Sequence, residues 1–107
     1  EATGFPRRYV IRGFNAANNK ALEPGDNVNQ LAIVLQNGAI PDVGVNGVTA
    51  EDLLRVAREI FMCYQESKFA CEENAMALAG IETALTAQAQ RMARRVQEGT
   101  EGTHVGN

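Results

Sequence analysis

The sequence predicts an α+β fold in which a small β-hairpin precedes a long antiparallel two-helix hairpin, with the chain assembled as an oligomer. Three observations carry that expectation. All three Pro and most of the Gly fall before residue 49, interleaved with short β-rich runs. Residues 49–98 hold no Pro and a single Gly, Gly80, and they are rich in Ala. The chain also has only 107 residues, no Trp, two Tyr and four Phe. A core that small and that aliphatic needs help from a partner's surface.

The length fits one domain, residues 1–107, whose parts read in order as follows. Residues 1–30 form an N-terminal extension with a short strand at Tyr9-Val10-Ile11-Arg12, followed by a polar stretch from Asn15 to Asn29 that carries the turn signal Pro24-Gly25-Asp26. Residues 31–47 read as a β-hairpin. Its first arm, Leu31-Ala32-Ile33-Val34-Leu35, is five apolar residues in a row, which suggests burial on both faces. Asn37-Gly38 suits a positive-φ turn, and Asp42-Val43-Gly44-Val45 can return as the second arm.

The helical hairpin covers 50–66 and 70–98. Thr49 is placed to cap the first helix, and Glu51 and Asp52 complement its N-terminus. Leu53, Ala57, Ile60, Phe61 and Tyr64 recur at three- and four-residue spacing as one apolar stripe, broken at Glu66-Ser67-Lys68. In the second helix, which begins near Cys71, Ala75, Leu78, Ile81, Leu85, Met92 and Val96 lie close to one face, and Gly99 ends it. Some 27 residues at ~1.5 Å each make a rod of about 40 Å. A connection of a few residues forces the helices antiparallel, and a two-helix hairpin cannot bury both of its apolar sides alone. Residues 99–107 form a C-terminal tail.

Composition narrows the function. No run approaches the ~18 apolar residues of a membrane span, and the N-terminus lacks a signal-peptide pattern, so the expectation is a soluble, unexported chain. A net charge of −3, from 10 Lys and Arg against 13 Asp and Glu, disfavours generic DNA or RNA binding. Cys63, Cys71 and His104 are too few for a structural zinc site, and the lone His sits near the end of the chain, away from any paired nucleophile. The expectation is no enzyme, no catalytic residue, no metal and no cofactor. Both cysteines read as reduced, buried small hydrophobes.

Two groups of residues could hold a ligand. Arg91, Arg94 and Arg95 are the densest positive charge. They read as a solvated helix end offsetting the dipole, which the residues alone favour, or as an anion clamp in which Arg91 and Arg95, four apart on one face, grip two phosphates. Tyr64, Phe69 and Asn74 cluster at the bend. They read first as a plug at the tip of the core with Asn74 bonded locally. The other reading is a purine site, with an aromatic face to stack and an amide to read the base edge. Asn74 and Arg91 are 17 positions apart, ~25 Å along one helix, too far for one small ligand. Two hairpins packed antiparallel would bring the bend of one to the open end of the other and create the pocket between them. The tail Gly99-Thr100-Glu101-Gly102-Thr103-His104 could act as a lid, with Thr103 in the ligand-binding set.

At this point the segments Leu35-Gln36-Asn37-Gly38, Val43 through Leu54, Phe69-Ala70-Cys71-Glu72-Glu73-Asn74-Ala75 and Glu98 through His104 together resemble the phage-encoded Thoeris anti-defence family one, over about residues 31–104. The resemblance implies a non-enzymatic sponge that sequesters the cyclic ADP-ribose signals made by bacterial immune TIR proteins, in the cytoplasm of the infected host. It implies a helical hairpin shared with phage sponges for cyclic oligonucleotides, which makes cyclic di- or trinucleotides a further ligand class. A homo-oligomer, dimer or hexamer, is implied as well, without DNA, RNA or membrane partners. By the same resemblance Tyr64 stacks on the base, Asn74 reads it, and Arg91 and Arg95 hold the pyrophosphate. This chain has Tyr64-Gln65-Glu66-Ser67-Lys68 where the family pattern calls for Phe-Gln and a Gly-Pro turn, and Gln97-Glu98-Gly99-Thr100-Glu101 where it calls for a Gly-Val-Glu run. A structural or adaptor hairpin that binds another protein through its apolar stripe is the alternative.

Overall fold

The structure is a computed structural model that describes residues 5–99. Strands β1 (Arg8–Ile11) and β2 (Leu31–Val34) pair antiparallel, with Arg8 opposite Val34 and Ile11 opposite Leu31. The polar connection between them is held by its own side chains. Asn15 Oδ1 accepts the Ala17 N–H, Asn19 Oδ1 accepts that of Ala21, and Asp26 Oδ2 accepts that of Glu23, each at 2.9 Å. These short polar side chains stand in for the backbone partners that a loop lacks.

A small two-stranded hairpin therefore precedes the helices, as expected, but it joins β1 to β2, and the hairpin predicted over 31–47 is not formed. Asp42 and Val43 belong to a single helical turn, α1 (Ile40–Val43), started by Pro41 and ended at Gly44 with φ +76°. Gly38 does take a positive φ, +98°. The chain then returns parallel to β2 rather than antiparallel, bridging Leu35 to Val48. Two amides hold this loop closed. Gln36 Nε2 donates to the Gly38 and Gly44 carbonyls at 3.1 and 2.9 Å, and its Oε1 accepts the Asn46 N–H at 3.0 Å. Asn46 in turn accepts from the Asn37 N–H at 3.0 Å and donates to the Asn37 carbonyl at 2.9 Å. Gly47 passes so near β2 that a Cβ there would lie 2.5 Å from the Leu35 carbonyl carbon.

Helices α2 (Ala50–Gln65) and α3 (Glu72–Gln97) follow, as the periodicity predicts. Thr49 Oγ1 accepts the Asp52 N–H at 3.1 Å and Asp52 Oδ2 accepts the Thr49 N–H at 2.9 Å, a capping box that satisfies two otherwise orphan donors. The helices pack on each other along a half-buried seam that includes Leu54, Ala57 and Phe61 on α2 and Leu78, Ile81 and Leu85 on α3. An Arg58–Glu82 ion pair at 3.7 Å crosses it.

Of the stripe expected on α2, only Ala57 and Phe61 turn inward. Leu53, Ile60 and Tyr64 are 40, 44 and 40% exposed, and Val56 extends their line at 60%. Among the described residues no side chain is fully buried. This overturns two expectations. Leu31 and Val34 are about half exposed, so β2 is not covered on both faces, and Cys63 and Cys71 are exposed free thiols. The reason is shared: β1 packs with β2 and α2 with α3, but the sheet does not pack on the helices. The radius of gyration, 17.3 Å, accordingly exceeds the roughly 13 Å of a compact chain of this length.

Two tests follow from these contacts. Gly47→Ala should lower the unfolding free energy by about 1–3 kcal/mol, because its methyl meets backbone rather than a side chain that could swing away; denaturant unfolding with an unchanged midpoint would contradict the close approach. The second concerns acid. Asp52's carboxyl is held below 3.8 by the Thr49 backbone N–H and then the Thr49 hydroxyl, with Arg55 adding to both. A depressed folded-state pKa contributes stability that is complete above the unfolded value and is lost as pH falls below 3.8 through the folded one. The thermal midpoint should drop across that acid window, and Asp52→Asn should flatten this part of the profile.

Candidate functional site

The connection between α2 and α3 spans residues 66–71, and it is built almost entirely from hydrogen bonds by short polar side chains. The Ser67 hydroxyl donates to the Tyr64 carbonyl at 2.8 Å and its Oγ accepts the Phe69 N–H at 3.1 Å. Gln65 Oε1 reaches across the bend to accept the Cys71 N–H at 3.1 Å. Cys71 is the N-cap of α3, its Sγ accepting the Asn74 N–H at 3.4 Å. Asn74 closes the bend from the other side, its Nδ2 donating to the Phe69 carbonyl at 3.0 Å. Ser67 and Gln65 do here what a Gly-Pro turn would do by backbone restriction.

These bonds set the aromatic rings. Phe61 and Tyr64 meet edge-to-face with centroids 5.5 Å apart, and Tyr64 and Phe69 at 6.2 Å, geometries the ring quadrupole favours. Tyr64 is 40% and Phe69 59% exposed, while Asn74 is half-buried. Tyr64, Phe69 and Asn74 line a cavity of about 320 Å³, at the lower end of the range for small-molecule sites. The plug reading fails for the two aromatics, which stay accessible. Its local hydrogen bond for Asn74 is present.

Arg91 and Arg95 lie near the far end of α3. The helix runs unbroken from Glu72 to Gln97, so Asn74 and Arg91 are separated by ~25 Å of helix rise. Arg91 is exposed and Arg95 half-buried, with Arg94 exposed and not on their i, i+4 row. The structure thus brings Tyr64, Phe69 and Asn74 together and keeps Arg91 and Arg95 apart from them. Thr103, His104 and the proposed lid lie outside the described residues. Between the first turns of α2 and the second half of α3 is a groove of about 450 Å³, whose lining includes Thr49, Arg55, Gln88 and Met92. Tyr64, Phe69, Asn74, Arg91 and Arg95 are not among the residues that line it.

Gln65 was not among the predicted site residues. Its signal was available: it is the last residue of a helix, six positions before a cap, with a side chain long enough to bridge that span. Among the described residues there is no cluster of three or more His, Cys, Asp or Glu able to hold a metal, and no helix is long and apolar enough to cross a membrane.

Residues 27–93 match the family model described as the Acb2/Tad1 hairpin domain. The chain is also 41% identical over 88 residues to a protein of Bacillus phage SBSphiJ7 named Thoeris anti-defense 1. That alignment takes in 81% of this chain and 62% of the phage protein, so the chain spans about three-fifths of its relative's length. The family match contains the whole bend and Arg91 and stops two residues short of Arg95.

Proposed function

The chain belongs to the Acb2/Tad1 hairpin family, and from that premise we propose that it is a phage anti-defence protein that binds and sequesters a cyclic ADP-ribose-type signalling nucleotide without degrading it. The observation that carries this reading is the accessible pair Tyr64 and Phe69 beside the half-buried amide of Asn74, around one cavity inside the matched span. The rings offer a face to the adenine, and Asn74 offers an acceptor and a donor to its edge. Arg91 and Arg95 supply guanidinium forks for the pyrophosphate. Thr103 completes the set from the tail. Cyclic di- or trinucleotides, which share the purine and the phosphodiester, are a second ligand class for the same protein.

Because ~25 Å of helix rise separates the two groups, the proposed site draws on two chains. The exposed line Leu53, Val56, Ile60 and Tyr64 on α2 is the surface that two hairpins share when they pack antiparallel. In that arrangement each pocket takes its aromatic-amide group from one chain and its arginines from the other, and the two-fold axis generates the pocket twice. The dimer, alone or as the unit of a hexamer, acts in the cytoplasm of the infected host.

Native mass spectrometry with cyclic ADP-ribose isomers tests the reading. The expected result is an oligomer carrying two ligands per dimer, a thermal midpoint raised by ligand because only the folded state binds, and intact ligand recovered after heating. A ligand recovered in hydrolysed form would replace the sponge by an enzyme, and a monomer at all concentrations would remove the shared pocket. Complementation tests the sharing directly. Asn74→Ala chains and Arg91→Ala/Arg95→Ala chains should each lose binding, by about 2–5 kcal/mol where a buried charge contact is removed. Their mixed dimer should recover one site, since one pocket is whole and the other lacks both groups. No recovery on mixing would overturn the shared pocket.

A further inference from the structure

The Asn74 side chain uses one of its four hydrogen-bonding positions within the bend. Nδ2 gives one hydrogen to the Phe69 carbonyl, and among the described residues nothing donates to Oδ1. A carbonyl can only accept, so the amide cannot turn over: the flipped form would set Oδ1 against the Phe69 oxygen and leave that oxygen without its donor. The carbonyl is itself held from both sides: the Ala70 N–H of its own peptide plane is bonded to the Ser67 carbonyl at 3.2 Å, and the preceding peptide is held by the Phe69 N–H on Ser67 Oγ, whose hydroxyl is bonded to the end of α2. The polarity of the amide is therefore set by the fold, with Oδ1 as a fixed acceptor beside the two rings.

That fixity has a consequence for the base. Adenine carries an amino donor beside a ring-nitrogen acceptor, a pattern that one amide matches with its oxygen and its N–H together. Hypoxanthine has the same shape with the 6-amino group replaced by an acceptor oxygen and N1 turned into a donor. A freely rotating amide would serve either base by turning over. A locked one would not, and a base tied into a closed nucleotide ring cannot turn over in its place. We propose that the Phe69 carbonyl, by locking the Asn74 amide, makes the bend selective for a 6-amino purine over its 6-oxo counterpart. This rests on the nucleotide-binding reading above and adds to it the group that sets base specificity; Ser67 acts as a positioning residue through Phe69.

The test is calorimetric titration of the full chain with two probes. One is a cyclic ADP-ribose isomer closed through its riboses, which leaves the base edge free, and the other is the same ring carrying hypoxanthine. The native chain should bind the hypoxanthine ring roughly 10- to 100-fold more weakly, the discrimination of one well-formed bidentate pair. Ser67→Ala, which frees the Phe69 N–H, should shrink that ratio severalfold, whereas a merely structural role would weaken both probes alike and leave the ratio unchanged. Asn74→Ala should weaken the adenine ring to the level of the hypoxanthine ring, bringing the ratio to about one, and guards against a Ser67 variant that does not fold. Equal, tight binding of both probes by the native chain would overturn the lock and leave the sponge reading standing. Failure of the adenine ring to bind at all would overturn both.

Discussion

Two helices packed side by side share one seam and keep two outer faces, and this constraint shapes everything else in the chain. The seam of α2 and α3 takes Leu54, Ala57 and Phe61 against Leu78, Ile81 and Leu85. Leu53, Val56, Ile60 and Tyr64 remain on the outside of α2. The sheet cannot relieve this, because β1 and β2 pack on each other and not on the helices. Apolar surface left in water on this scale is a cost that burial against another surface would remove, at roughly 25 cal/mol for each Å² covered. On the proposed reading a second hairpin covers it, so the same packing that completes the fold also completes the site.

The bend obeys a different physics. Here apolar burial contributes little and hydrogen bonding nearly everything, since Ser67, Gln65, Cys71 and Asn74 each satisfy a backbone group that the helix ends and the turn leave open. The arrangement keeps the rings of Tyr64 and Phe69 at the surface rather than letting them fold into the seam. An exposed ring is a poor contributor to stability and a ready stacking face, which is why these two residues carry the functional argument.

The helices were legible in the sequence because their signals are local. Thr49 with Asp52 three residues on, the Pro-free Ala-rich run and Gly99 at its end each act within one turn, and the structure places the helix boundaries within two residues of where these signals put them. The β region was legible only in part. Asn37-Gly38 argued for a near partner of Leu31–Val34 at residues 42–45; the actual partner lies before a 19-residue connection whose closure depends on Asx turns. The decisive groups against the near pairing were the Gln36 and Asn46 side chains, which hold the loop around α1. For the α2 stripe the difficulty was intrinsic. Residues 53, 56, 60 and 64 and residues 54, 57 and 61 both satisfy helical spacing, and periodicity does not say which row meets α3. The cysteines were assigned to an interior that the described residues do not form.

Of the candidate site, the bend cluster could be read because its members are ten residues apart across a short connection, and chain geometry leaves them nowhere else to go. The arginines pose a separate problem, since helix rise alone sets them ~25 Å from Asn74 on one rigid rod. No side-chain rearrangement closes that distance. Either the two groups serve different ligands, or they belong to pockets that two chains build together. The proposed antiparallel pairing resolves this with the fewest assumptions: it turns the separation along α3 into the spacing between two equivalent pockets, and it uses for that purpose the outer row of α2 that the single hairpin leaves uncovered. In such an arrangement ligand affinity and assembly are thermodynamically linked, because a nucleotide bound between two chains stabilises their association by as much as the association strengthens its binding.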